Sequence, residues 1–192
     1  LLDFRQAKGE SQTAWEALLH SLYQRGLLGA NLRLIVMDGS AGLRAAAELV
    51  YPEAKIQRCW VHKLRNVAAA CPKKHQRCVR DARTMYLAAN RVQAQAAFQR
   101  WQQTWRTRCP KAVACLEQDL EELLSFFDCP VVHRIKVRTT NAIERSFREV
   151  RRRTNVFSCF SNPASTERII YAIFTHLNQG WKDAPLSGFT QF

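Results

Sequence analysis

At 192 residues, 47% of them hydrophobic and 10% aromatic, the chain has ample material for a packed core, which excludes a polar disordered polymer. Lys and Arg number 29 against 16 Asp and Glu, a formal charge of +13 with a pI near 9.9. That excess suits a polyanionic partner, because each phosphate neutralised releases condensed counterions; the alternative is a basic protein kept soluble by self-repulsion.

Residues 1–5 read as a strand, and the run continues to Ala7. Ser11 caps a helix whose apolar face is Trp15, Leu18, Leu19 and Leu22, and Gly26 ends it in a left-handed cap position. Residues 32–37 form a short continuous apolar run, as in a strand buried on both faces. A helix follows over 41–50 with Leu43, Ala46, Ala47 and Val50 inward, stopped by Pro52. Residues 55–61 are the next strand, with Trp60 in the core. This βαβαβ order predicts an α/β sheet with helical crossovers.

From Leu64 to Pro130 only helical periodicity is visible, punctuated by Pro72, Asn90 and Pro110. One helix presents Phe98, Trp101 and Trp105, another Leu116, Leu120, Leu123 and Phe127. Such all-helical material after a sheet reads as an inserted subdomain. Two more helices are predicted over 141–153 and 165–181, the second with Ile169, Ile173, Leu177 and Trp181 on one face. The expected division is 1–63 for the first part of the core, 64–137 for the helical insertion and 138–192 for the core's C-terminal helices.

Charge is clustered along this layout. Arg134, Lys136, Arg138, Arg145, Arg148 and Arg151 to Arg153 are opposed in their segment only by Glu144 and Glu149. A second basic stretch, 55–83, has Asp81 as its lone acid. The cysteines at 59, 71, 78, 109, 115, 129 and 159 form an odd set without regular spacing. No signal peptide is expected ahead of them, and no apolar run nears the roughly 18 residues of a membrane span. Reduced thiols in a cytoplasmic protein are the expectation.

Three clusters could carry chemistry. Asp38 ends the most hydrophobic strand and precedes Gly39-Ser40, where α/β sheets gather ligands and a carboxylate can hold Mg²⁺. An Asx-turn before the helix is the alternative. Glu144 follows Asn141 in a capping-box pattern and could also pair with Arg148. Yet a carboxylate within a face built for DNA repels phosphate unless a cation bridges them, so a metal role competes. Cys59-x-x-His62 lacks a second ligand pair for zinc; His62 could contact a phosphate or carry a proton near neutral pH. Asp3 and Glu10 read as surface or cap residues.

In order, these segments resemble the Mutator-type transposases of bacterial insertion sequences. The matching stretches are Lys8-Gly9-Glu10-Ser11 with Trp15, 22–27, Met37-Asp38-Gly39 with Gly42-Leu43, and Gln57-Arg58-Cys59-Trp60-Val61-His62-Lys63. In the tail they are Arg138-Thr139-Thr140-Asn141-Ala142-Ile143-Glu144-Arg145 and Arg151-Arg152-Arg153-Thr154. Each motif alone is weak; the ordered set covers nearly the whole chain.

The resemblance implies an α/β, RNase H-like core, partial because its N-terminal strands are missing, with an all-α insertion between the second and third acidic residues. It implies a DDE site in which Asp38 matches the second Asp and Glu144 the final Glu, both ligands of two Mg²⁺ (or Mn²⁺) ions in the complete enzyme. His62 is the candidate to position the scissile phosphate. The expected DNA contacts are Arg58, Cys59, Lys63, Arg65, Arg138, Asn141, Arg145, Arg148, Arg151, Arg152 and Arg153, with the arginines after Glu144 gripping backbone without reading sequence.

The family's first Asp lies upstream of Lys8, and Asp3 does not match it. The expectation is therefore a fragment or a decayed copy of a longer enzyme that binds metal poorly and cuts DNA weakly. Double-stranded DNA, transposon ends and target, is the expected partner, with a homodimer of the full-length, nucleoid-associated protein and no membrane. A non-catalytic basic DNA-binding module and a nuclease of the same fold are the competing readings.

Overall fold

Local signals at helix ends explain most of the architecture. In the computed structural model, which describes residues 1–7, 9–155 and 162–183, the Ser11 backbone is extended. Its Oγ accepts from the Ala14 N–H at 3.3 Å and opens α1 (Gln12–Gln24). At the other end Gly26 takes a φ of 101°. The Gly26 and Leu27 N–H groups then close onto the carbonyls of Tyr23 and Leu22, the paired bonds of a Schellman cap. The expected cap residues therefore fall where the sequence placed them.

β1 (Leu34–Met37), α2 (Ala41–Val50) and β2 (Lys55–Arg58) form one βαβ unit. The two strands pair in parallel, from Leu34 opposite Lys55 to Met37 opposite Arg58, and they are the whole sheet among the described residues. Leu19, Met37, Ala46, Ala47 and Tyr51 form a core where α1 packs on α2. The Tyr51 hydroxyl donates to the Leu27 carbonyl at 3.0 Å. Gly42 permits that packing: a Cβ there would stand 2.6 Å from the Glu10 carbonyl oxygen.

The α/β expectation holds only in this small unit; the remainder is helical. Residues 1–5 are not a strand. No strand lies beside them among the described residues, and α11 (Pro163–Asp183) holds them instead. The Asn178 amide donates to the Leu1 carbonyl at 3.0 Å, and Phe4 stacks edge-on against Phe174. β2 stops at Arg58 rather than reaching residue 61. Its partner turns away at Gly39, with φ at 105°, and leaves nothing to pair with. Cys59, Trp60 and His62 consequently open a helix, α3 (Trp60–Ala70).

The helical block continues through α4 (Arg77–Asp81), α5 (Arg83–Tyr86), α6 (Arg91–Trp105), α7 (Pro110–Glu117), α8 (Leu120–Leu123) and α9 (Val131–Val137). Asn90 caps α6 by accepting from the Gln93 N–H at 2.9 Å, and Pro110 occupies the first turn of α7. Phe98, Trp101 and Trp105 are buried together, as their spacing predicts. The helix expected to carry Leu116 through Phe127 is instead broken into α7, α8 and a 3₁₀ turn, Ser125–Asp128.

The block is tied to the sheet through buried polar bonds. Gln57 is fully buried on β2. Its amide donates to the Leu123 carbonyl at 3.2 Å and its Oε1 accepts from the Phe126 N–H at 2.6 Å. The Trp60 indole donates to the same Leu123 carbonyl at 2.8 Å. These bonds satisfy groups that a helix end leaves open. α10 (Asn141–Thr154) packs with α11 around Val150, Ile173 and Phe174. Lys8 of the first motif and Cys159 lie outside the described residues, as do 184–192 of the expected C-terminal unit.

Candidate active site at the carboxyl edge of the sheet

Asp38 follows directly on β1, and the Asx-turn read from sequence forms: Oδ1 accepts from the Ser40 N–H at 3.2 Å. Ser40 then caps α2 by accepting from the Leu43 N–H at 3.3 Å. The carboxylate remains exposed, and its Oδ2 makes no bond or ion pair among the described residues. A turn role and an available oxygen therefore coexist in one side chain.

The last ladder bond brings β2 alongside. The Cys59 N–H donates to the Met37 carbonyl at 2.8 Å, so Asp38 and Cys59 leave adjacent parallel strands at the same edge, about 4.8 Å apart. Cys59 in turn anchors the start of α10. Its buried Sγ accepts from the Thr140 N–H at 3.4 Å, and the Trp60 N–H donates to the Arg138 carbonyl at 3.1 Å. Thr140 Oγ1 lies 3.4 Å from the same sulfur and donates to Glu144 Oε1 at 3.1 Å.

Glu144 thus sits in the first turn of α10, where the positive end of the helix dipole favours a carboxylate. His62 Nδ1 is 3.8 Å from Glu144 Oε1 and Arg65 Nη2 is 3.9 Å from Oε2. The His62 Nδ1 is buried without a hydrogen-bond partner. Ligand atoms of Cys59, His62 and Glu144 all fall within 4.8 Å of one another, and Asp38 is not part of that group. The capping box expected on Asn141 does not form: Asn141 is already inside the helix, and Thr140 occupies the cap position. Glu144 also makes no pair with Arg148; it faces α3 instead.

The expected DNA contacts divide into two kinds. Arg65, Asn141, Arg145, Arg148, Arg151, Arg152 and Arg153 are exposed. Arg145, Arg148 and Arg151 make no ion pair among the described residues, whereas Arg152 and Arg153 both bond Glu149, Arg152 through two nitrogens at 2.8 and 2.9 Å. Those hydrogen bonds pull the Glu149 carboxyl down to about 2. Others turn inward. Lys63 is 3% exposed and its ammonium reaches Asp119 at 2.6 Å. Arg58 approaches the same carboxylate at 3.5 Å and folds across the face of Gly39. Cys59 is fully buried, and Arg138 stacks on Tyr86 while donating to the Tyr86 carbonyl at 3.1 Å.

Sequence reasoning missed Thr140, Asp119 and Gln57. A threonine pair before a helix hints at the first. Asp119 meets Lys63 across 56 residues of chain, a pairing with no local signal.

The site thus combines a basic helix carrying the half-buried Glu144 with the exposed Asp38 at the end of β1. The model of the family described as transposase, Mutator family, matches residues 1–184, and the chain belongs to that family. It is 37% identical over 185 residues to the transposase for insertion sequence element ISRM5 of Rhizobium meliloti (strain 1021), covering 96% of this chain and 46% of that protein. It is 44% identical over 146 residues to the transposase for IST2 of Acidithiobacillus ferrooxidans, covering 76% and 49%. Against the transposase for IS406 of Burkholderia multivorans (strain ATCC 17616 / 249) it is 37% identical over 177 residues, covering 91% and 45%. The chain spans about half the length of these curated relatives. Among the described residues no helix is long and apolar enough to cross a membrane.

Proposed function

We propose that this chain carries the second and third acidic residues of a DDE transposase site, Asp38 and Glu144, together with a surface that grips DNA. The observation that carries the reading is the chain of bonds from Met37, the residue before Asp38, through Cys59 and Thr140 to Glu144, which draws the start of α10 to the end of the strand pair. On this reading the βαβ unit, α10 and α11 belong to an RNase H-like core interrupted by a helical insertion. The three core clusters support the division near residues 63 and 137, with the second cluster beginning already at Trp60.

The donors suit a hard cation: Asp38 offers an unpartnered oxygen, and Glu144 offers two that meet other groups only at 3.1 Å or more. Two Mg²⁺ or Mn²⁺ ions bound by such carboxylates would activate an attacking water or 3′-OH and stabilise the leaving oxygen. His62, held against Glu144, orients toward the scissile phosphate. Arg65, Arg145, Arg148 and Arg151 neutralise backbone phosphates and position the duplex without reading its sequence. Lys63 and Arg58 support the site from within instead of touching DNA. In the full-length protein, two copies would hold two transposon ends.

The second reading is a DNA-binding module, favoured by the completed Asx-turn at Asp38. The experiment that separates them is Mg²⁺- or Mn²⁺-dependent cleavage of transposon-end DNA by this chain and by a version extended to the length of its relatives. Cleavage by the extended version that Glu144→Ala and Asp38→Ala abolish sustains the catalytic reading. DNA binding without cleavage under either metal would leave the binding module.

A further inference from the structure

Cysteines that show no regular spacing in the sequence converge in the helical block. Cys71 ends α3, Cys78 lies on α4 and Cys109 caps α7. Their sulfurs all lie within 4.8 Å of one another, and those of Cys71 and Cys109 approach to 3.7 Å. The three residues are 6%, 0% and 1% exposed. Two thiolates on one tetrahedral ion, each about 2.3 Å from it, are separated by roughly 3.8 Å, which is the spacing Cys71 and Cys109 already have.

We infer that Cys71, Cys78 and Cys109 form a three-thiolate site for Zn²⁺, separate from the carboxylate edge. Cys59 and Cys71 bracket the eleven residues of α3, which place roughly 16 Å of helix between the two groups. His75 stands on the 3₁₀ turn Lys73–His75 between two of the cysteines, partly buried, and its carbonyl accepts from the Cys71 thiol at 3.2 Å. Its imidazole is not among the ligand atoms gathered within 4.8 Å, so the fourth position falls to water. Sulfur donors in this number select a borderline or soft metal over Mg²⁺, so the two sites would not compete for one ion.

Without metal, burial pushes the Cys71 and Cys78 thiols up and keeps them protonated. Binding forms each Zn–S bond as one thiol proton leaves to solvent. The ion would then staple the end of α3, α4 and the start of α7, closing a loop between cysteines 38 positions apart in sequence. The competing account is three small apolar side chains packed in a core.

The test strips the whole chain with a chelator and titrates it with Zn²⁺ or Co²⁺. One equivalent should bind, the Co²⁺ form should show thiolate charge-transfer and tetrahedral visible bands, and saturating Zn²⁺ should raise the melting temperature by roughly 5–10 °C. X-ray absorption on the unmutated chain should find three sulfur neighbours at about 2.3 Å, a readout that does not depend on any variant folding. Cys78→Ser and Cys109→Ser should lose the cobalt charge-transfer band, while Cys129→Ser keeps it. No binding, a first shell of nitrogen and oxygen only, or a cobalt spectrum lost in His62→Ala but retained in Cys78→Ser would each overturn the assignment.

Discussion

Glu149 shows how a single acid governs the basic helix. Its carboxylate accepts from Arg152 and Arg153, and those bonds hold its pKa at about 2, below the ordinary value near 4.3. A depressed acid contributes stability that is present above the unfolded pKa and lost as pH falls through the folded one. That window is roughly pH 4 down to pH 2, and the exposed setting keeps the contribution small. A carboxyl-carbon NMR titration should place the Glu149 midpoint near 2; a midpoint near 4 would mean that the pairs do not persist in solution. Glu149→Gln should release two guanidinium groups for phosphate, tighten DNA binding at low salt and steepen its salt dependence by up to about 1.8 units of slope. Gly42 makes a different point, since what matters there is the missing side chain. A methyl group would meet backbone atoms of Glu10 and Gln12 at 2.6 and 2.9 Å. Gly42→Ala should therefore cost about 1–3 kcal/mol by forcing α1 off α2, measured by urea unfolding.

Among the elements, α3 links the sheet edge to the helical block, and its position rests on a buried charge cluster. Asp119, between α7 and α8, receives Lys63 at 2.6 Å and Arg58 at 3.5 Å. Asp119→Ala leaves two cations without their counter-charge and should cost about 3–5 kcal/mol, whereas Lys63→Met should cost less because Arg58 still faces the acid. Equal losses in thermal unfolding would contradict that account. The same contact marks the limit of what the sequence could reveal. Ser11, Gly26, Asn90 and Pro110 act on neighbouring backbone, so their roles were legible from local order. The stripe of Phe98, Trp101 and Trp105 was legible because one helix carries it. Lys63 read as a surface cation because its partner is remote, and the Cys71, Cys78 and Cys109 group was invisible for the same reason. Residues 1–5 have strand composition but no strand beside them among the described residues, which no composition can report. At the candidate site, Asp38 and Glu144 stand out in the sequence, but the contacts of Cys59 and Thr140 that tie the start of α10 to the end of the strand pair become evident only once α10 is seen against α3.

For the molecule as a whole, the excess of positive charge is large, but only part of it faces outward and unpaired. Lys63 and Arg58 are spent on Asp119, and Arg152 and Arg153 on Glu149. On α10, Arg145, Arg148 and Arg151 are exposed without ion pairs among the described residues. If the net charge of +13 acted as a diffuse field, removing any three cations would weaken DNA binding alike. If defined contacts act, the position of each cation decides. The logarithm of affinity falls with that of salt by about 0.9 for each phosphate neutralised, so Arg145→Ala, Arg148→Ala and Arg151→Ala together should reduce the slope by about 2.7 on duplexes of any sequence. Lys63→Met should lower the melting temperature and leave the slope unchanged. Fluorescence anisotropy across a salt series distinguishes the two cases. A slope insensitive to the three arginines would move the DNA surface away from α10, and with it the argument that Glu144 stands beside bound phosphate.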